Sequence, residues 1–290
     1  MTAYERYREL VEHELREFMA GNEDMPQHRL IEAMRYSLLA GGKRIRPVLV
    51  LEFCAAAGGD AKSALPAACA VEMLHTYSLI HDDLPCMDND SLRRGKPTNH
   101  IVYGEFTATL AGDALQAEAF GVIMRSPLPA QVRCDCAEYL AGAAGVDGIC
   151  GGQQLDMEGD GKSLTEDELA EIHSRKTGSL LSAACAMGAV CGGADEEQIE
   201  AALIYGAALG TAFQIRDDML DVLADENVLG KNIGSDAKEG KTTFMTLWGA
   251  EECQRRVSRL TEYAVDTVKK AFKNPEELIE LANMLVNRMN

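Results

Sequence analysis

Apolar residues recur every three or four positions along most of the chain, the spacing that places them on one face of an α-helix. In residues 4–20, for example, Tyr7, Leu10, Leu15 and Phe18 are separated by charged side chains. The same periodicity predicts further helices over residues 27–39, 48–57, 64–83, 108–124, 131–145, 165–191, 196–223, 251–272 and 275–288. The pattern therefore predicts a protein built from helices.

Composition supports that prediction. The 290 residues are 47% hydrophobic but only 6% aromatic, a bias typical of helical proteins rather than of sheets. Length alone permits one large domain or two ordinary ones. No linker, low-complexity segment or fixed-period repeat interrupts the chain, so we expect a single all-α domain over residues 1–290.

The formal net charge of −18 disfavours a general binder of nucleic acid or of anionic membranes. An anionic substrate must therefore be held by a local group of cations. The longest weakly polar stretches, residues 179–191 and 201–215, are shorter than the ~20 apolar residues of a membrane span. Nine cysteines without zinc-type spacing indicate reduced thiols, which predicts a cytoplasmic protein.

The first candidate for chemistry is an acidic cluster that runs directly into a basic one. Asp82, Asp83 and Asp88 are followed by Arg93 and Arg94. Carboxylate oxygens are ligands for Mg²⁺, and cationic side chains bind phosphate, so the stretch is suited to a magnesium diphosphate. Since a proline interrupts the helix after the first pair, Asp88 must return toward Asp82 through a short loop if the two share a metal.

A second acidic cluster lies on the helix predicted over residues 196–223. Gln214, Asp217 and Asp221 follow one another at intervals of three and four and so share one stripe, beside Asp218. Carboxylates one turn apart can bridge a divalent cation. Apolar neighbours weaken the alternative that this is a solvated acidic face.

Cations occur on glycine-bounded turns elsewhere. Lys43, Arg44 and Arg46 follow two glycines, and a solvated basic turn is an equally weighted interpretation of that group. Lys176 is followed by Thr177 and Gly178 at the start of a buried apolar stretch, although a surface lysine is the usual explanation of such a residue. Lys231 and Lys241 each follow a glycine, which is weak evidence because the full spacing of a P-loop is missing.

Residues 156–167 imitate a calcium-binding loop. The third ligand position is Glu158 and the last is Asp167 instead of a bidentate glutamate, so we disfavour calcium. We expect a polar loop that ends at a capping box formed by Thr165 and Glu168.

Taken together, these motifs resemble the trans-type isoprenyl diphosphate synthase family, most closely its bacterial farnesyl diphosphate synthases. The resemblance is carried by GGKRIRP at 41–47, HDDLPCMDNDSLRRGKPT at 81–98, GGQQLD at 151–156, KTG at 176–178 and FQIRDDMLD at 213–221. It implies a bundle of ten or more helices around a deep central cavity, usually as a homodimer. One departure is Ser91, where relatives often have another aspartate.

The resemblance also implies the reaction and the residues that serve it. Isopentenyl diphosphate would condense with dimethylallyl or geranyl diphosphate by Mg²⁺-assisted ionisation, with a cluster of about three ions bound together with substrate. The implied metal ligands are Asp82, Asp88 and Asp217, with Asp83, Asp218 and Asp221 orienting them. The implied allylic diphosphate ligands are Arg93, Lys176, Lys231 and Lys241, with Thr177 and Gln214 near the reacting carbon. The implied isopentenyl diphosphate ligands are Lys43, Arg46, His75 and Arg94.

Product length would depend on the floor of the cavity. Tyr77 lies ~7.5 Å along the helix axis from Asp82, and similar farnesyl-forming enzymes carry an aromatic residue there. We therefore expect a C15 product. The alternative interpretation, that Tyr77 is an ordinary core aromatic, is left open by the sequence. A geranylgeranyl diphosphate synthase is the main alternative. A terpene cyclase and a non-catalytic partner subunit are disfavoured by the basic turn and by the two intact aspartate motifs.

Overall fold

The computed structural model describes residues 1–18, 20, 24–223 and 241–286, and its described part is built from helices joined by turns. The helices are α1 (Ala3–Phe18), α2 (His28–Leu38), α3 (Ile45–Ala56), α4 (Leu65–Asp82), α5 (Asn99–Tyr103), α6 (Glu105–Arg125), α7 (Ala130–Ala144), α8 (Ile149–Gly159), α9 (Glu166–His173), α10 (Ser179–Cys191), α11 (Glu196–Leu223), α12 (Phe244–Ala271) and α13 (Glu276–Val286). The prediction of an all-α fold with ten or more helices is confirmed.

Short irregular elements complete this architecture. A single 3-10 turn, Ala61–Ala64, precedes α4, and two strands of two residues each, β1 (Leu92–Arg93) and β2 (Lys96–Pro97), form an antiparallel hairpin. The hairpin was not predicted, because two-residue strands leave no periodic signal. It carries both arginines that follow the first aspartate cluster.

The buried side chains form one continuous apolar cluster. In its middle, α10 packs against α3 and α11, α4 packs against α6, and α11 packs against α12. Glycines allow the closest approaches: a Cβ at Gly206 would lie 2.5 Å from the Ser182 Cα, and one at Gly210 would lie 2.9 Å from the Gly178 Cα. No helix among the described residues is long and apolar enough to span a membrane.

Helix α8 corrects the prediction of a polar loop from Asp156 onward. The helix continues to Gly159, so Asp156 and Glu158 are helical and the stretch does not have a calcium-loop conformation. Two adjacent glycines, Gly151 and Gly152, lower the helix propensity of this segment and concealed it. The predicted capping box is confirmed: the Thr165 hydroxyl accepts from the Glu168 amide, and the Glu168 carboxylate accepts from the Thr165 amide.

Helix α12 begins earlier than predicted. It starts at Phe244, capped by Thr243 and Thr246, and not at Glu251. Gly249 has φ +74° and kinks the helix, which breaks the apolar periodicity on which the prediction depended.

A buried carboxyl group lies where α3 meets the carboxyl-terminal helix. Glu52 on α3 is only 5% exposed, and it shares a cavity lining with Glu277 and Glu280 of α13. Burial first, and then these two like charges, raise the pKa of Glu52 to about 7. The carboxyl group is therefore partly protonated near neutral pH.

Candidate active site

The first aspartate cluster lies at the carboxyl end of α4, where the chain folds back on itself. The amide of Asp88 donates to the carbonyl of Asp82 over 2.9 Å, and the amide of Asn89 donates to the carbonyl of Leu84 over 3.1 Å. Asn89 takes a positive φ of 54° to close this turn. The short loop that was required to bring Asp88 back to Asp82 is therefore present.

Both carboxyl groups are in a partly dehydrated environment. Burial raises the pKa of Asp82 to about 6, with Asp88 adding to the rise and Lys176 opposing it. Burial likewise raises the pKa of Asp88, while Lys176 and Lys241 lower it. Lys176 and Lys241 thus lie within electrostatic range of the aspartates, although they follow them by 88 (176 − 88) or more positions in the chain.

Lys176 is delivered by a wide turn of π-helix, Ser174–Gly178, between α9 and α10. Its Nζ lies 2.7 Å from the Oδ2 of Asp156 on α8. Gly152 makes this approach possible, because a Cβ there would lie 2.4 Å from the Lys176 amide nitrogen. Sequence reasoning missed Asp156 as a site residue, although the GGQQLD motif contained the signal.

The two arginines of the hairpin have different partners. Arg93 pairs with Asp83, which is only 3% exposed, and its Nη2 lies 3.2 Å from the Oδ2 of Asp90. Arg94 donates to the carbonyl of Gly41, across to the basic turn before α3. The hairpin therefore connects the first aspartate cluster to that turn.

The three cations of the basic turn have different roles. Arg44 is structural, whereas Lys43 and Arg46 border the site. Arg44 is fully buried, adopts a positive φ of 50°, and pairs with Glu12 of α1 and Glu72 of α4. Lys43 is exposed, and its carbonyl accepts from the Tyr4 hydroxyl. The interpretation of the whole turn as a solvated surface is therefore wrong for Arg44.

Arg46 is directed toward α4. Its Nη1 lies 3.5 Å from the Nε2 of His75, and its Nε is buried without a hydrogen-bond partner among the described residues. Burial lowers the pKa of Arg46, and Asp217 of α11 partly offsets that effect. Burial, reinforced by Arg46 and Arg94, holds the pKa of His75 well below its usual range. His75 is therefore neutral beside a guanidinium group that retains an unused donor.

The second polar stripe links α11 to its neighbours. The Thr177 hydroxyl lies 3.4 Å from the Gln214 Oε1, and the Gln214 amide donates to Asp218 over 3.1 Å. Asp218 also accepts from the Phe244 amide at 2.8 Å, at the start of α12. Asp218 therefore faces the core, whereas Asp217, one residue earlier, is exposed.

The carboxylates described above fit an Mg²⁺ ion that is bound together with a phosphate ligand better than an Mg²⁺ ion bound by protein side chains alone. Within the described residues, no three His, Cys, Asp or Glu side chains are close enough to hold a metal by themselves. Asp221 nevertheless has a buried Oδ2 atom, and this atom has no hydrogen-bond partner among the described residues. Mg²⁺ is commonly held by one or two carboxylates, waters and substrate phosphates, which this arrangement permits.

Tyr77 and Lys231 are the remaining predicted site residues. Tyr77 is 4% exposed on α4, its hydroxyl lies 3.4 Å from the Cys150 Sγ, and its ring meets His81 edge-on at 5.6 Å between centroids. Lys231 lies outside the described residues. Asp82 and Asp88 thus lie within electrostatic range of Lys176 and Lys241, and Arg46 lies within electrostatic range of His75, Arg94 and Asp217.

Comparison with known proteins gives consistent matches along the chain. The family model described as "Polyprenyl synthetase" matches residues 27–284. A farnesyl diphosphate synthase of Geobacillus stearothermophilus is 53% identical over 230 residues, 77% of each chain. A geranylgeranyl diphosphate synthase of Cyanophora paradoxa is 46% identical over 293 residues, covering 99% of this chain and 95% of the relative.

A solved structure agrees with these sequence matches. An FPP/GFPP synthase from Zymomonas mobilis superimposes with a TM-score of 0.87 and 35% identity, covering 98% of each chain. The described fold is therefore shared with proteins of this kind.

Proposed function

Since the chain belongs to the polyprenyl synthetase family, we propose that this prenyltransferase is a farnesyl diphosphate synthase. It would join isopentenyl diphosphate to dimethylallyl diphosphate and then to geranyl diphosphate. The observation that carries this proposal is that residues from distant segments, cations among them, lie together at each of the two predicted diphosphate sites. Asp82 and Asp88 lie in range of Lys176 and Lys241, and Arg46 lies beside His75.

The two substrates would occupy neighbouring sites. The allylic diphosphate would lie between Asp82 and Asp88 on one side and Asp217 on the other, with Lys176 and Lys241 as cationic ligands. Lys231, outside the described residues, and Arg93 are further ligands in this proposal. Isopentenyl diphosphate would be held by Lys43, Arg46, His75 and Arg94, of which the ammonium and guanidinium groups suit a diphosphate.

The chemistry follows from charge development on the allylic diphosphate. Bound Mg²⁺, held by Asp82, Asp88 and Asp217, would supply Lewis-acid stabilisation of the departing diphosphate. Lys176 and Lys241 stabilise the same negative charge as the C–O bond breaks. The double bond of isopentenyl diphosphate then attacks the allylic cation, and the proton lost from the product is accepted by the departing diphosphate.

The polar stripe of α11 would act at the reacting carbon. Gln214 accepts from Thr177 and donates to Asp218, so its amide is held in one orientation. Its amide dipole would stabilise positive charge on the allylic fragment, while apolar helices exclude the water that would quench this cation.

Product length is the finer part of the proposal. Tyr77 is buried beneath the aspartate end of α4 and would form the floor that stops growth at C15. Geranylgeranyl diphosphate synthase remains the second candidate, because a relative of that name is similar over nearly the whole chain. Buried Tyr77 is the observation that favours the shorter product.

We further infer a cytoplasmic, homodimeric enzyme of one domain. Helix α6 exposes Phe106, Leu110 and Met124, whose spacings of 4 (110 − 106) and 14 (124 − 110) residues put them on one face of the helix, an apolar face suited to a second copy. Phe106 is 73% exposed in the single chain. The cytoplasmic location is supported by the free thiols of all nine cysteines.

The deciding experiment is product analysis. Purified protein would be incubated with Mg²⁺, isopentenyl diphosphate and either dimethylallyl or geranyl diphosphate, and products separated by chain length. We expect C15 product from wild type and a longer product from Tyr77→Ala. Absence of any condensation product, judged against an EDTA control, would reject the prenyltransferase assignment, whereas a C20 product from wild type would reject only the farnesyl assignment.

A further inference from the structure

Tyr77 has two neighbours at opposite parts of its side chain, His81 at the ring and Cys150 at the hydroxyl. On one side His81 meets the ring edge-on. His81 itself is fixed, since its Nε2 lies 3.0 Å from the Thr109 carbonyl and its ring fills the space where a Cβ at Gly112 would lie 2.2 Å away. The Tyr77 ring therefore cannot move toward His81 unless α6 is displaced.

The other neighbour is Cys150, the second residue of α8. Its Sγ lies 3.4 Å from the Tyr77 hydroxyl, within hydrogen-bond distance for sulfur. Burial, together with this contact, raises the pKa of Tyr77, so the phenol stays protonated. Cys150 is itself an exposed residue, and its sulfur is a polar partner of the Tyr77 hydroxyl.

The backbone around Cys150 has little freedom to move. A Cβ at Gly148 would lie 2.1 Å from the Ala143 carbonyl oxygen, and one at Gly151 would lie 1.9 Å from the Val146 carbonyl oxygen. Gly148 therefore lies in direct backbone contact with the last turn of α7, and Gly151 with the turn that follows it. The position of the Cys150 sulfur is consequently set by close backbone packing.

The same helix also reaches the diphosphate end of the site. Asp156, six residues after Cys150, holds Lys176 at 2.7 Å. Helix α8 therefore contacts both the residue proposed as the cavity floor and a cation proposed to bind the allylic diphosphate.

We propose that Cys150 is a positioning residue for product length, holding the Tyr77 ring against His81 so that the floor stays at the height of a C15 chain. This inference rests on the proposed function, in which Tyr77 is the floor. Without the sulfur, the ring can move into the space that Cys150 vacates, and the cavity deepens. Cys150 does not take part in ionisation or condensation.

The test compares Cys150→Ala with Cys150→Ser and with Cys134→Ala, a control at another exposed cysteine. Each variant would be given geranyl diphosphate and isopentenyl diphosphate, and the C20 to C15 ratio measured along with kcat for the first condensation. We expect Cys150→Ala to raise that ratio about threefold to tenfold, the effect of losing one hydrogen bond and its packing. Its kcat should stay within about twofold of wild type, since no group that touches the diphosphates is changed. Cys150→Ser and Cys134→Ala should retain the wild-type ratio.

The same substitution in a Tyr77→Ala background separates this inference from the proposal beneath it. There Cys150→Ala should add nothing, because the residue through which it acts is gone. An unchanged ratio in the single variant, or an equal rise in both backgrounds, would overturn the role of Cys150. Failure of Tyr77→Ala itself to lengthen the product would instead reject Tyr77 as the floor.

A crystal structure of Cys150→Ala provides a readout that does not depend on activity. The Tyr77 ring should be displaced toward α8 from its place against His81. A ring that keeps its wild-type position would overturn the proposal even if product lengths changed.

Discussion

The amide of Asp88 donates to the carbonyl of Asp82, and this bond between backbone atoms brings two aspartates six positions apart to the same end of α4. The loop between them contains Pro85, which ends the helix and permits the return. The spacing of this motif is therefore a property of a closed turn and not of a helix face. The first prediction concerns the carboxylates that the turn brings together.

Asp82→Ala and Asp88→Ala should each lower kcat by about 10²- to 10³-fold, the scale of losing one group that stabilises developing charge. Each should also raise the Mg²⁺ concentration needed for half-maximal rate, because a carboxylate ligand is missing. Steady-state rates across a Mg²⁺ titration measure both effects. Asp266→Asn, an exposed aspartate on α12, is the control and should behave as wild type. Equal Mg²⁺ dependence in wild type and Asp82→Ala would exclude Asp82 as a ligand.

Asp156→Asn should raise the KM for geranyl diphosphate about threefold to tenfold, since Lys176 loses the carboxylate that holds its Nζ. The KM for isopentenyl diphosphate should change little, because Arg46 and His75 lie apart from this pair. Initial-rate kinetics with each substrate varied in turn give both constants. A rise confined to isopentenyl diphosphate would contradict the proposed division of sites.

Gly152→Ala should destabilise the protein by about 1–3 kcal/mol, because the new Cβ must displace the backbone of Lys176. Gly142→Ala on α7 is the matched control: nothing lies within 4 Å of a Cβ there, and alanine favours a helix, so we expect a gain of about 0.5–1 kcal/mol. Urea unfolding at one pH compares the two. Equal effects of both substitutions would show that α8 tolerates side chains at position 152.

Glu52→Gln should stabilise the protein at pH 8 and have little effect at pH 4. The folded-state pKa of about 7 lies above the ordinary value of 4.5, so folding favours the protonated form. The contribution of Glu52 to stability is therefore complete below pH 4.5 and is lost as pH rises through 7. The full loss is about 2–4 kcal/mol at 1.36 kcal/mol per pKa unit.

Urea unfolding between pH 4 and pH 8 measures this dependence. Glu9→Gln, an exposed glutamate on α1, is the control and should shift stability equally at both ends. A wild-type pH profile unchanged by Glu52→Gln would exclude Glu52 as its source.

Leu110→Glu, alone or with Phe106→Glu, should convert a homodimer to a monomer, because a charge would be buried in the proposed α6 interface. Light scattering coupled to size-exclusion chromatography reports the mass directly. Val146→Glu is the control, since Val146 is 79% exposed at the end of α7 and does not belong to the α6 stripe. A monomeric wild type would remove the interface proposal.

The bounds of the longest uninterrupted apolar helix could be predicted from the sequence. Helix α11 spans the predicted Glu196–Leu223. The segments that were missed carry glycine or short-range irregularity: the first turn of α8 contains two adjacent glycines, and the π-helical turn that presents Lys176 has no periodic signature. Tertiary packing determines both.

The same limit applies to the candidate site. Spacing identified the aspartates and the cations, because their chemistry is visible in residue type. Spacing did not reveal that Arg44 is a buried structural ion pair while Lys43 is exposed, since that depends on which side chain turns inward at a positive φ. Asp156 was likewise hidden, because its partner lies 20 residues away.

The burial of Arg44 has a consequence for the amino-terminal helix. Its guanidinium joins Glu12 of α1 to Glu72 of α4, directly behind the turn that carries Lys43 and Arg46. A shortened chain lacking α1 would leave this cation buried with one of its two carboxylates removed, and the turn would lose its anchor. Helix α1 contributes no ligand in the proposed mechanism, yet its deletion should weaken isopentenyl diphosphate binding before it unfolds the remainder of the protein.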